Sequence, residues 1–529
     1  MPSLSDTLKS GYAFTGPTIT LGAGMVGTDL VTEPKVRLPL AMMNRHGLIA
    51  GATGTGKTKT LQLIAEQLSM QGVPVFVADL KGDLSGIAMP GEASPRVAER
   101  ATSVGYEWKP AGSPVEFVSL SGKLGVQLRA TVSSFGPLLL AKVLELNETQ
   151  ESVLTLVFKF CDDQGLPLLD FKDLRAILQF LTSDEGKPAL AQYGGMASTT
   201  VGVLLRKMIE LETQGAEQFF GEPEFDVRDL LHVGSDGRGV VTCLELADVQ
   251  DKPRLFSTFM MWMLAELFQN LPEAGDLEKP KLCFFFDEAH LLFADASKAF
   301  LEQVQQVIRL IRSKGVGVYF ITQSPKDVPD DVLGQLGNRV QHALRAHTPD
   351  EEAALRAAVR TFPKTDLYDL QQTLMSLGIG EAVITGLDGR GVPTPVVACR
   401  LIPPASRMAP LTPDELQADI RQSDFVKEYG QAVDRESAFE MLAKRLQTAS
   451  GRGGKTAREP RGPFGSAPQE PPPAKSSGKV GKGMGAVIGG AIAGTLASRA
   501  GRALGTALVR GVFGMLTGRA PRGTSRTRW

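Results

Sequence analysis

Gly51-Ala52-Thr53-Gly54-Thr55-Gly56-Lys57-Thr58 brings glycines, a lysine and hydroxyls into one short turn. The apolar stretch Leu48-Ile49-Ala50 precedes it, and Leu61, Ile64, Ala65 and Leu68 follow at helical spacing. A strand, a glycine-rich turn and a helix N-terminus make an anion site, because main-chain N–H groups and the positive end of the helix face the same point. The string fits G-x-x-x-x-G-K-[ST], in which the lysine reaches the β- and γ-phosphates of a nucleotide and the hydroxyl binds Mg²⁺. Lys57 and Thr58 take those positions, and Gly51, Thr53, Gly54, Thr55, Gly56 and Lys59 complete the cradle for ATP.

Phe284-Phe285-Phe286-Asp287-Glu288 supplies the carboxylates such a site needs. Asp287, where an apolar strand ends, is placed to hold Mg²⁺, and Glu288 to orient and polarise the attacking water. Gln323 closes the next apolar strand, where an amide can touch both the γ-phosphate and the water. Arg309 and Arg312 lie three apart on the preceding helix and share a face. Stabilising the transferred phosphoryl group takes an arginine, often from a neighbouring subunit. Arg312 is the first candidate, then Arg309, with Arg339 a third. Asp79 ends another apolar run, Pro74 to Asp79, and serves either the site or the turn after it. His46 and His290 flank the two motifs, where either could touch nucleotide or hold a loop, and read first as structural. The pattern holds no metal cluster beyond the Mg²⁺ of the nucleotide.

These residues need a parallel sheet to bring strand ends together. Strand-like runs at 74–79, 240–246, 281–286 and 317–323 alternate with helical ones, the signature of an α/β fold with helices on both faces. Residues 1–46 form a short β segment whose strands, 18–22 and 36–40, lead into the loop strand. The core then spans 47–134 and 237–402, with an all-α insertion at 135–236. A hairpin at 381–385 and 394–401 closes the core. Helices follow over 403–448, then a Gly-, Pro- and Ser-rich disordered linker at 449–483 and a Gly-rich basic amphipathic tail at 484–529.

The 529 residues allow two to four domains, and 43% apolar content is ordinary for a soluble protein. Cys161, Cys243, Cys283 and Cys399 are scattered, which argues against disulfides or a zinc site and fits a reducing cytoplasm. Met1-Pro2-Ser3-Leu4 opens no secretory signal. The net charge of −1 conceals an asymmetry: residues 451–529 carry 14 Lys/Arg against 2 Asp/Glu, so the body is mildly acidic and the tail a polycation. Such a tail is drawn to nucleic acid or anionic membrane. Gly485, Gly489, Gly490 and Gly494 give close-packing spacings, but the uncharged stretch 484–498, 15 residues, is short of the roughly 18–20 that span a bilayer. Lying on a membrane, self-association, nucleic-acid attachment and disorder all stay open for it.

The motifs together resemble the HerA–FtsK superfamily of P-loop ATPases, and most nearly its bacterial HerA-like, YjgR-type group. The resemblance covers roughly residues 10–445 and rests on His46 to Thr58, Phe286-Asp287-Glu288-Ala289-His290, and Arg312-Ser313-Lys314-Gly315 running into Thr322-Gln323-Ser324-Pro325. It implies a RecA-like core, a homo-oligomeric, hexameric ring and ATP-driven translocation on double-stranded DNA. It also implies that Gln323 is the sensor and Arg312 the arginine before the sensor strand. About 45 residues precede the loop, too few for the N-terminal β-barrel of HerA itself, which sets aside nuclease docking of that kind. The Asp-Glu-Ala-His string could suggest a superfamily 2 helicase, but the Q-x-x-G-R-x-x-R motif is missing. The alternative is an ATP-dependent scaffold or membrane-associated switch that does not act on nucleic acid.

Overall fold

A computed structural model of the protein describes residues 3–275, 277–293, 298–346 and 348–453. The expectations for the tail at 484–529, and for the linker beyond residue 453, lie outside the described residues. Residues up to Leu442 form one compact unit. Its centre is a sheet of β1 (Thr18–Val26), β2 (Asp29–Pro39), β3 (Gly47–Ala50), β4 (Val75–Asp79), β5 (Val115–Ser119), β6 (Val126–Gln127), β7 (Val241–Glu245), β8 (Leu282–Phe286), β9 (Val316–Thr322), β10 (Asn338–His342), β11 (Glu381–Thr385) and β12 (Val397–Leu401). The spatial order is β2-β1-β12-β11-β10-β3-β9-β8-β4-β7-β5-β6. From β10 to β6 every pairing is parallel, and from β10 outward to β2 every pairing is antiparallel.

The apolar runs are buried on both faces, as parallel strands covered by helices must be. Side chains alternate across the sheet, so Phe284 and Phe286 of β8 join one core while Cys283 and Phe285 join the other. Phe284 meets Phe76 at 4.9 Å, and Phe285 stacks on Tyr319 at 4.9 Å. The second core is roofed by Leu61, Ile64, Ala65 and Leu68 of the helix Lys57–Met70. The first is filled by the helices Pro253–Asn270 and Lys298–Ile311 and by those between β6 and β7.

Those intervening helices, chiefly Val132–Val143, Glu148–Gln164, Phe171–Thr182 and Ser198–Thr213, fall in the stretch expected to be helical. They share the core of the sheet, with Phe135, Phe219, Phe220 and Trp262 packed as one aromatic group. The N-terminal strands overlap the expected runs at 18–22 and 36–40. β1 pairs with β12 and β2 with β1 at the far antiparallel edge, away from the loop strand, and the 3₁₀ turn Leu40–Arg45 carries the chain back to β3. Local periodicity shows that a strand exists, not which partner it takes. No described helix is long and apolar enough to cross a membrane.

Candidate nucleotide site

Parallel strands deliver their C-terminal ends to one edge, and here the ends of β3, β9, β8 and β4 stand side by side. The loop after β3 is fixed from both neighbours: Gly51 N–H donates to Thr322 O at 3.2 Å and Ala52 N–H to Ala343 O at 2.9 Å. Gly51 (φ 154°) and Gly56 (φ 108°) hold conformations that favour glycine, and a Cβ on Gly51 would come within 2.5 Å of His342 Cβ. Gly56 caps the helix Lys57–Met70 without a side-chain bond. The first helical bond is Thr60 N–H to Gly56 O at 3.0 Å, so the N–H groups of Lys57, Thr58 and Lys59 have no helical carbonyl to meet. That is an anion-binding turn.

Lys57 Nζ donates to Gly51 O at 2.7 Å and Ala52 O at 3.2 Å. Burial pulls its pKa below the ordinary lysine value, opposed by Glu288 and Asp287. Thr53 and Gly54 are exposed at the loop tip, and Thr55 Oγ1 donates to Ala52 O at 2.7 Å. Thr58 is half-buried on the first turn. Lys59 points aside, donating to Gln62 Oε1 at 3.2 Å and Asp83 O at 3.5 Å.

Asp287 is 5% exposed. Its Oδ1 accepts Glu288 N–H at 3.0 Å, and its Oδ2 is buried without a hydrogen-bond partner. Burial first, then Asp79 and Glu288, push its carboxyl up to about 7. A buried carboxylate oxygen with nothing to accept from fits a divalent cation. Glu288 adopts φ 48°, a strained value for a side chain of its kind, and forms an ion pair with Lys81. Burial raises its pKa, yet Lys81 outweighs that and holds it below the usual carboxylate value. His290 Nδ1 lies 3.2 Å from Glu288 Oε2 without hydrogen-bond geometry.

β9 stands between the loop strand β3 and the acidic strand β8, and its next residue, Gln323, is exposed at the same edge. Thr322 Oγ1 donates to Asp327 Oδ2, and Ser324 N–H meets the same oxygen at 2.9 Å, which fixes the turn that carries Gln323.

The arginines are elsewhere. The helix expected to bear both ends at Ile311, and Arg312 opens a separate 3₁₀ turn, Arg312–Lys314. Both Arg309 and Arg312 are exposed before β9 begins, at the opposite edge of the sheet. The seven residues of β9 span about 20 Å, so neither reaches the nucleotide loop of its own chain. Arg339 is committed to main-chain carbonyls of Leu336 (3.2 Å), Thr361 (2.6 Å) and Leu333 (3.2 Å). His46 is structural: Val318 N–H donates to its Nδ1 at 3.0 Å and its Nε2 contacts Ile308 O at 2.8 Å.

Asp79 is wholly buried, with Oδ1 accepting the N–H groups of Lys81 (3.0 Å) and Gly82 (2.8 Å) and Oδ2 that of Leu84 (2.8 Å). It shapes the turn beside the site. Sequence reasoning missed Lys81 as a partner of Glu288, and it missed His342, which meets Thr60 Oγ1 at 2.9 Å and Glu381 O at 2.9 Å. A charged residue just after a strand ending in aspartate was the available signal for Lys81; His342 left none. Beside the first helical turn opens a cleft of about 330 Å³, lined in part by Leu63, Val97, Arg100, Ile379 and Ile402.

The family described as helicase HerA-like, C-terminal, matches residues 27–522. A protein named DNA double-strand break repair helicase HerA from Sulfolobus acidocaldarius is 21% identical over 367 residues, 68% of this chain and 66% of that one. Its namesake from Saccharolobus solfataricus is 22% identical over 388 residues, 72% of this chain and 68% of that one. The chain thus spans about two thirds of the length of these relatives. Among solved structures, the bacterial conjugative coupling protein TrwB is similar at 14% identity with a TM-score of 0.48, over 77% of this chain and 99% of that one. The chain belongs to the helicase HerA-like C-terminal family.

Proposed function

We propose that the chain hydrolyses Mg²⁺-ATP as one subunit of a homo-oligomeric ring, hexameric in the resembling superfamily, and that the cycle drives translocation on double-stranded DNA in the cytoplasm. The observation that carries this reading is the meeting, at one sheet edge, of an unsatisfied helix N-terminus, the unpartnered Asp287 Oδ2 and the Glu288 carboxylate. The N–H groups of the first turn and Lys57 hold the β- and γ-phosphates. Thr58 and Asp287 would hold Mg²⁺, which would supply charge neutralisation. Glu288 orients the water and takes its proton. Gln323 is placed to register the γ-phosphate from β9. The cleft beside the first turn seats the nucleoside on its apolar wall.

The position of the arginines supports the ring. Phosphoryl transfer is helped by a cation on the departing charge, and Arg312, with Arg309 behind it, sits at the far edge where only another copy's nucleotide can meet it. The DNA substrate is supported by the relatives named as DNA-repair helicases. The test is the ATPase rate with and without long linear double-stranded DNA, with Glu288→Gln as the blank. DNA stimulation supports the translocase; hydrolysis indifferent to DNA moves the reading to the scaffold or membrane-associated switch.

A further inference from the structure

Lys81 belongs to none of the motifs above, yet it touches the residue on which hydrolysis depends. It lies in Asp79-Leu80-Lys81-Gly82-Asp83, the turn that closes β4. Three N–H bonds to the buried Asp79 carboxylate hold the main chain of that turn. The Lys81 side chain is not so held: it is 48% exposed and reaches across to Glu288, itself 5% exposed, one strand away. Asp287 and Asp83 face the same ammonium. Lys57 is close enough that the two ammonium charges act on each other. The two lysines therefore both act on Glu288, Lys57 from the β3 side and Lys81 from the β4 side.

A partner for a buried carboxylate would by itself explain an ion pair. It does not explain why the partner is a long, half-exposed lysine on a rigid turn, aimed at the carboxylate that must accept a proton. An ammonium bound to that carboxylate competes with the water for its oxygens. A triphosphate brings concentrated negative charge within the reach of the same side chain, and a flexible ammonium goes to the stronger anion.

Resting on the ATPase reading above, we propose that Lys81 is a γ-phosphate-binding residue that exchanges partners, leaving Glu288 for the terminal phosphoryl group of ATP. Glu288 is then free for water only when that group is in place. In the reaction the water oxygen bonds to the γ-phosphorus and the bond to the β–γ bridging oxygen breaks. ADP departs with that electron pair, and one water proton passes to Glu288. Lys81 stays protonated throughout and transfers nothing.

The experiment is equilibrium binding of ADP and of a non-hydrolysable ATP analogue, both with Mg²⁺, to the full chain. Lys81→Met should weaken the analogue by about tenfold or more, the value of a charge-assisted bond, and leave ADP within about twofold. Lys81→Arg should recover most of the loss. Because Lys81→Met leaves Glu288 buried and unpaired, the same comparison is made on Glu288→Gln, where the analogue-selective loss must persist in the double variant. Equal weakening of both nucleotides, or no change in either, would overturn the exchange while leaving the ATPase reading intact. Wild-type chain that binds neither nucleotide would sink the site itself and the exchange with it.

Discussion

Asp79 and Asp287 end adjacent parallel strands with carboxylate oxygens within 4.8 Å of each other, but their bonding is opposite. Asp79 accepts three main-chain N–H groups. Asp287 accepts one and leaves Oδ2 with none. The charge of Asp79 helps to raise the Asp287 carboxyl, and the acid without compensating bonds is the one available to a cation. The neighbouring strand ends thus divide the work, Asp79 shaping the turn and Asp287 serving the chemistry.

The two should respond oppositely to substitution by asparagine. Asp79→Asn turns an acceptor into a donor facing N–H groups, and should cost about 1–3 kcal/mol in urea unfolding. Asp287→Asn removes an uncompensated buried charge, so the protein without nucleotide should melt a few degrees higher while ATP hydrolysis falls about 100-fold or more. A stabilised Asp79→Asn, or an active Asp287→Asn, would reverse the assignment.

Lys57 and Thr58 are adjacent but should fail differently. Lys57→Ala removes the cation on the phosphates and should abolish nucleotide binding or severely weaken it. Thr58→Ala keeps that cation and loses a Mg²⁺ ligand, so nucleotide should still bind while the Mg²⁺ concentration needed for half-maximal hydrolysis rises several-fold. Titrating nucleotide and Mg²⁺ separately distinguishes them.

Arg312 is separated from its own nucleotide loop by the length of β9, about 20 Å. Arg312→Ala should therefore spare ATP binding and cut hydrolysis, by about 10³-fold if it acts as the arginine on the phosphoryl group. Mixed with Glu288→Gln, which keeps Arg312 but lacks the base, it should regain activity, since some interfaces then pair an intact Glu288 with an intact Arg312. No recovery in the mixture would exclude action across subunits. Full activity of the single variant would pass the role to Arg309, because Arg339 is bound to three carbonyls.

Much of this site was legible because its chemistry is local. The loop and its helix are contiguous, and Asp287-Glu288 closes an apolar run whose neighbours in sequence are its neighbours in β8. What escaped reading depended on partners far along the chain. Lys81 and Glu288 are 207 residues apart, and Thr60 and His342 are 282 apart. The sheet position of β1 and β2 was not legible for the same reason: alternation gives a strand its faces, but its neighbour is chosen by tertiary packing. The arginines were found as residues, but the sheet edge they occupy was not legible, because a helix face says nothing about which edge it ends on.

His46 offers a test of the fold at the root of the nucleotide strand. Val318 N–H donates to its Nδ1, so the ring is neutral with the proton on Nε2, directed at Ile308 O. Burial lowers its pKa to about 4, and His342 is lowered to about 4 in the same way. Unfolded, each would titrate near 6.5. Between those values each ring holds more protons in the unfolded chain, so its contribution to stability is full above about pH 6.5 and is lost as pH falls, by up to about 1.4 kcal/mol per pH unit for each ring. His46→Asn keeps a side chain tolerated at the positive φ of this position (59°) and removes one of the two titrations. In urea unfolding between pH 7.5 and 5, this variant should lose about 2 kcal/mol less than wild type, since the raised carboxyls of Glu66, Glu245 and Asp287, which act in the opposite direction, are common to both proteins. An unchanged slope would mean that His46 is already protonated in the fold, and the Val318 N–H bond to its Nδ1 could not then exist.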